Sequence, residues 1–149
     1  MKLSTKGRYG LRIMIDLAIY AQSEHVSLSS VSERQNISEN YLEQVISPLR
    51  KAGLVKSVKG AQGGYLLGNL PSKISVGEVL RVLEGDFATV IEKNDDQNPG
   101  ESSLQESIQL MVWDKLAKNV YEFVDSVTIE DVAKDYRDRN GEMKLMYYI

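Results

Sequence analysis

Ser38-Glu39-Asn40-Tyr41-Leu42-Glu43-Gln44-Val45-Ile46-Ser47-Pro48-Leu49-Arg50-Lys51 runs directly into Ala52-Gly53-Leu54-Val55-Lys56-Ser57-Val58-Lys59-Gly60-Ala61-Gln62-Gly63-Gly64-Tyr65-Leu66-Leu67. Ser38 is a capping residue, and Leu42, Val45, Ile46 and Leu49 share one side at about 100° per residue. The spacing predicts a helix over 39–51 with a buried face, closed by Gly53. Asn40, Gln44, Ser47 and Lys51 fall on its other side, with Glu43 at the edge. Pro48 removes one backbone hydrogen bond and is expected to kink the last turn. The alternating runs 54–59 and 65–67 around a glycine-rich tip read as a β-hairpin.

Upstream, Ser4 or Thr5 caps a helix to about residue 22, striped by Leu11, Met14, Ile15, Ala18 and Ala21. Ser27 caps a second helix over 28–35, which Asn36 ends. Three helices followed by a two-stranded wing make a winged helix-turn-helix. Downstream, Pro71 ends the hairpin and Ser75 caps a helix over 76–84. A polar loop follows over 86–103. Leu104, Ile108, Met111, Leu116, Val120, Phe123 and Val127 then recur at intervals of three to five residues, which predicts a long amphipathic helix over 104–127. Thr128 caps a last helix to Tyr136, ahead of a charged run over 137–144 and an apolar end over 145–149. The expected fold is mainly α with a small β-hairpin wing, divided into a winged helix-turn-helix DNA-binding domain (1–85), the polar loop (86–103), and a dimerisation helix with a C-terminal segment (104–149).

Composition narrows the function. The 149 residues include no cysteine and one histidine, His25, which removes disulfides, thiol nucleophiles, thiolate zinc sites and cysteine-held clusters. No catalytic motif is present, and the glycine-rich tip has no Lys-Ser or Lys-Thr after it to bind a nucleotide. An enzyme is not expected. No signal peptide or membrane span is legible, so a soluble cytoplasmic protein without a membrane partner is expected. The net charge of −3 conceals an asymmetry: residues 1–65 carry nine Lys/Arg against five Asp/Glu, and residues 66–149 nine against sixteen. An anionic partner would meet the first half.

Asn and Gln on the outer face of the third helix can pair with adenine, and Glu can accept from the cytosine amine. The lean wing tip fits a minor groove or a phosphate track. The candidate DNA-contacting set is Lys2, Lys6, Arg8 and Tyr9 in the opening segment, Ser38, Asn40, Tyr41, Glu43 and Gln44 on the third helix, and Lys56, Lys59, Gln62 and Gly63 on the wing.

The opening 2–10 segment, Ile37-Ser38 with Tyr41-Leu42-Glu43-Gln44, the run 49–55, Gly63-Gly64-Tyr65-Leu66-Leu67, Val76-Gly77-Glu78-Val79 and Thr128-Ile129-Glu130-Asp131 together resemble the IscR/NsrR/CymR family of bacterial transcription regulators. The resemblance implies a homodimer over a palindromic operator in double-stranded DNA, with the long helix crossing its partner through Leu104, Ile108, Met111, Leu116, Val120 and Phe123. Sensing members carry three cysteines before the long helix; this chain has none, which points to the cluster-free branch of cysteine-metabolism repressors and to no cofactor or metal. That branch implies a further partner, O-acetylserine sulfhydrylase, met by Tyr148 and Ile149 at the end of the sequence. The alternative for that end is packing on its own domain or an added edge strand. Two other readings of the whole stay open: a cluster-free family member with a different regulon, and a winged-helix module for protein contacts.

Overall fold

A computed structural model of the chain describes residues 2–92 and 103–148, and the side chains of these except 142–144, 147 and 148. The element order is α1 (Thr5–Tyr20), α2 (Leu28–Gln35), α3 (Glu39–Lys51), β1 (Val55–Val58), β2 (Gly64–Leu67), a 3-10 turn (Pro71–Lys73), α4 (Val76–Glu84), α5 (Leu104–Ile108), a π-helical turn (Gln109–Trp113), α6 (Asp114–Ser126) and α7 (Ile129–Tyr148). The chain is a winged helix-turn-helix carrying a long helical arm.

The expected serines do the capping. Ser4, Ser27, Ser38 and Ser75 each accept a backbone N–H from the first turn of the helix they precede. Asn36 stops α2 in the left-handed region, at φ 53°. Pro48 does not break α3, which continues to Lys51. The strands pair antiparallel from Val55 opposite Leu67 to Val58 opposite Gly64.

The main core gathers Ile13, Met14 and Leu17 from α1, Val31 from α2 and Leu42, Val45, Ile46 and Leu49 from α3. Ile129 and Ala133 of α7 lie in the same core, so the last helix is also part of the winged unit. A second cluster joins Leu80, Phe87 and Ala88 to Ala117 and Val124 of α6. It buries the start of the segment expected to be a polar loop.

Within the core, Asp16 is the one buried charged side chain among the described residues, at 1% exposure. Arg34 donates to it twice, from Nε (2.9 Å) and Nη2 (2.8 Å), and Gln35 Nε2 donates a third bond (2.8 Å). Arg34 also lies 4.2 Å from the Tyr20 ring centroid. The hydrogen bond to Asp16 holds the Arg34 guanidinium above its ordinary pKa.

Two expectations need correction. The helix over 104–127 is not uniformly α: at Gln109–Trp113 it widens to π, with the Asp114 N–H donating to Gln109 O five residues back. Gln109 explains the extra residue, because its side-chain amide donates to Val90 O (2.9 Å) and Asp114 Oδ1 (2.8 Å). The last helix does not stop at Tyr136 but runs to Tyr148. The charge run disguised good helix formers. Arg139 Nε bonds Asp135 Oδ2 one turn back (2.7 Å), and a single glycine, Gly141, costs only about 1 kcal/mol in a helix. The apolar end is therefore helix and not an edge strand, and its Leu145 and Met146 are exposed. Ile149 lies outside the described residues.

Removing Arg34, which is itself partly exposed, costs more than the pair contributes, because the Asp16 charge stays buried. Arg34→Met leaves the Asp16 carboxylate with one amide donor, and a loss of about 3 kcal/mol is expected from urea unfolding. A change under about 0.5 kcal/mol would show that the α1–α2 tie is dispensable.

Candidate nucleic-acid interface

Two helix ends converge at the exposed face of α3. Lys6, from the first turn of α1, lines one open groove with Asn40, Glu43, Gln44, Ser47 and Pro48. Pro48, half-buried, thus borders the groove. Asn40, Glu43 and Gln44 are exposed, whereas Leu42, Val45, Ile46 and Leu49 are buried beneath them. The helix offers amide and carboxylate groups to a partner, on a backbone fixed from behind.

The N-terminus of α1 is held from α4. Glu84 Oε1 accepts from the backbone N–H groups of Ser4 (3.1 Å) and Gly7 (3.0 Å) and from the Ser4 hydroxyl. A carboxylate at this end satisfies orphan donors and opposes the helix dipole. Lys2 and Arg8 are exposed beside it, and Arg8 Nη2 donates to Thr5 Oγ1 (3.3 Å).

Three candidate side chains also make contacts within the chain. Ser38 Oγ is occupied as the α3 cap, accepting from Tyr41 N at 3.3 Å. Tyr9 and Tyr41 are half-buried and pack edge to face with centroids 5.7 Å apart. Arg12 lies 5.0 Å from the Tyr9 ring centroid. These two tyrosines brace α1 against α3.

The wing presents Lys56, Lys59 and Gln62 to solvent, with Gly63 half-buried. Gly63 N–H donates to Gly60 O (3.0 Å) and closes the tip. The stretch between α1 and α2 adds a third edge: Val26 and Tyr65 exchange both backbone bonds, at 3.0 and 2.8 Å. A Cβ on Gly64 would sit 2.1 Å from Val26 O, so only glycine permits this approach. His25 Nε2–H donates to Gln62 O at 2.6 Å, anchoring the tip from outside the hairpin. Sequence reasoning missed His25. Its position one residue before Val26, opposite a glycine pair that needs a close neighbour, was the available signal.

The expected dimer residues lie on the arm. Leu104, Met111, Leu116 and Phe123 are exposed at 77, 63, 40 and 66%, and Ile108 is half-buried. Val120 is half-buried and packs on the second core cluster. Tyr148 ends α7. Among the described residues no three His, Cys, Asp or Glu side chains are grouped to hold a metal ion.

The His25 bond joins the wing tip to the stretch between α1 and α2. His25→Ala is expected to cost under about 1.5 kcal/mol in global stability, the range of one hydrogen bond. Amide exchange at Gly63 should rise several-fold, and His25→Gln, which keeps a donor, should restore part of the protection. Unchanged exchange in His25→Ala would show that the tip is held by the strand pairing alone.

Residues 3–135 match the Rrf2 family, described as an iron-dependent transcriptional regulator. The chain is 46% identical over 147 residues to the HTH-type transcriptional regulator CymR of Bacillus subtilis (strain 168), covering 99% of each. It is 39% identical over 136 residues to the regulator IscR of Vibrio campbellii, covering 91% of this chain and 79% of that protein. Among solved structures, CymR, the global cysteine regulator of B. subtilis, superposes with a TM-score of 0.75 at 47% identity over 90% of this chain and 97% of that one. IscR of T. potens gives 0.71 at 48% identity over 91 and 88%. No helix among the described residues is long and apolar enough to cross a membrane. The chain belongs to the Rrf2 family of transcriptional regulators.

Proposed function

We propose that this chain is a homodimeric repressor of cysteine and sulfur-metabolism genes that binds a palindromic operator without an iron–sulfur cluster. The observation that carries the DNA reading is the groove where Lys6 stands beside Asn40, Glu43 and Gln44. A cation positioned on phosphate and a row of donors and acceptors positioned on base edges are the two parts of sequence-specific binding. The basic first half of the chain supports the same reading. Similarity over nearly the full length to CymR supports the cysteine regulon.

The family description names iron, and the donor set here does not fit a cysteine-held cluster. The sequence has no cysteine, and its single histidine is committed to Gln62 O. No step through iron is derived.

The arm supports the dimer. Leu104, Leu110, Met111, Leu116 and Phe123 form an exposed apolar stripe on a helix whose opposite side is buried by Ala117 and Val124. O-acetylserine sulfhydrylase is a further proposed partner for Tyr148 and Ile149. Capture of the terminal residues in an enzyme pocket requires the last turn of α7 to unwind.

Fluorescence anisotropy on the chain's own upstream DNA at two salt concentrations tests the DNA reading. Lys59→Ala should weaken binding on all sequences and lower the salt slope by about one unit. Gln44→Ala should relax preference at one or two base pairs by about 1–3 kcal/mol. Equal affinity and slope in Lys59→Ala would exclude the wing from the interface.

Phe123→Asp places a charge in the stripe, which costs several kcal/mol if it stays buried. Light scattering should report a monomer, with operator affinity falling in parallel. A dimer of wild-type affinity would move the interface elsewhere.

A further inference from the structure

Between α1, the base of the wing and α7 lies a cavity of about 610 Å³. Its apolar surface comes from Leu66 and Leu67 of β2 and the exposed Leu70, whereas Leu17 and Ala18 of α1, which also border it, are 0 and 2% exposed. Three charged side chains border it: Lys56 from β1, and Glu130 and Arg137 from α7. Two of these already neutralise each other. Arg137 Nη1 is 3.3 Å from Glu130 Oε1, and its Nη2 donates to Ala18 O at 3.3 Å. Lys56 has no ion-pair or hydrogen-bond partner among the described residues. The rim therefore holds one uncompensated positive charge beside an apolar surface, in a volume that suits a small organic molecule.

We propose that this cavity binds an amphipathic monocarboxylate, with its chain on Leu66, Leu67 and Leu70 and its carboxylate between Lys56 and Arg137. A single negative charge matches the single free cation, and an apolar chain matches the lining. The site touches two parts that DNA binding must keep in register. Lys56 is on the wing, and α7 follows α6 after only Val127 and Thr128. An occupant holds Lys56 toward α7, and the same ammonium group cannot then serve a phosphate. Ligand and operator are thus antagonists, and by linkage each weakens the other by the same factor. This antagonism rests on the wing meeting DNA, whereas occupancy of the cavity does not.

Occupancy is read first without DNA. Hexanoate is titrated into the full chain with labelled leucine and alanine methyl groups, beside hexanol, which lacks the charge, and acetate, which lacks the chain. Hexanoate should shift the Leu66, Leu67 and Leu70 methyl signals saturably, and hexanol and acetate should bind at least several-fold more weakly. Lys56→Gln, at an exposed position that leaves the core intact, should weaken hexanoate several-fold while leaving the methyl spectrum folded. Shifts confined to Leu110 and Leu116 on the arm, or equal binding of hexanol, or unchanged affinity in Lys56→Gln, would overturn the site. Saturating hexanoate should then lower operator affinity several-fold and reduce the salt slope by about one unit. Saturable occupancy with unchanged operator affinity would overturn the antagonism while leaving the site in place.

Discussion

A carboxylate cannot lie buried and ionised without donors, and Asp16 imposes that requirement on the whole winged unit. Its oxygens face α2, so α2 must approach with Arg34 and Gln35 in place. The same approach lets Arg12 of α1 bond the Gln35 side chain and backbone carbonyl. Once α1 and α2 are fixed, the left-handed Asn36 and the Ser38 cap leave α3 little freedom, because only three residues separate the helices. The orientation of the groove that Lys6 shares with Asn40 and Gln44 thus traces back to one acid ten residues further along α1.

A second set of polar ties holds the arm. Arg81 of α4 makes a two-point contact with Asp125 of α6, at 2.6 and 2.8 Å, while its guanidinium lies 4.7 Å from the Tyr121 ring centroid. Tyr121 donates its hydroxyl to Asp86, which also accepts from Thr89. These hydrogen bonds hold Asp86 below the usual carboxylate range, and Arg81 does the same for Asp125. Each is an exposed contact with little energy of its own. Their common effect is directional: α4 carries Glu84 at the α1 N-terminus and Arg81 at the arm, so one short helix links the groove to the apolar stripe.

The sequence displayed what depends on local pattern. Serine caps, the α3 stripe and the glycine-rich hairpin are encoded within a few residues, and the helices and wing stand where those signals put them. Long-range contacts were not legible. Nothing adjacent to His25 announces Gln62, and nothing near Tyr9 announces that its ring braces Tyr41. The extension of α7 was hidden because a charge run reads alike as solvated coil or solvated helix. Val120 shows a related limit: a stripe marks apolar residues without saying which of them also pack on their own chain, as this one does on the second cluster.

The π turn at Gln109–Trp113 has a consequence for kinship between regulators in one cell. One added residue in a turn rotates everything after it, so Leu104 and Ile108 are out of phase with Leu116 and Phe123 relative to an ordinary α-helix. Two copies of this chain share that phase jump at symmetry-related heights. A homologous subunit with an unbroken α-helix does not, and would meet one half of the stripe with its own polar side. In the dimer proposed through this arm, the winding itself would favour a copy with the same phase jump over one without it, with no dedicated charge pattern.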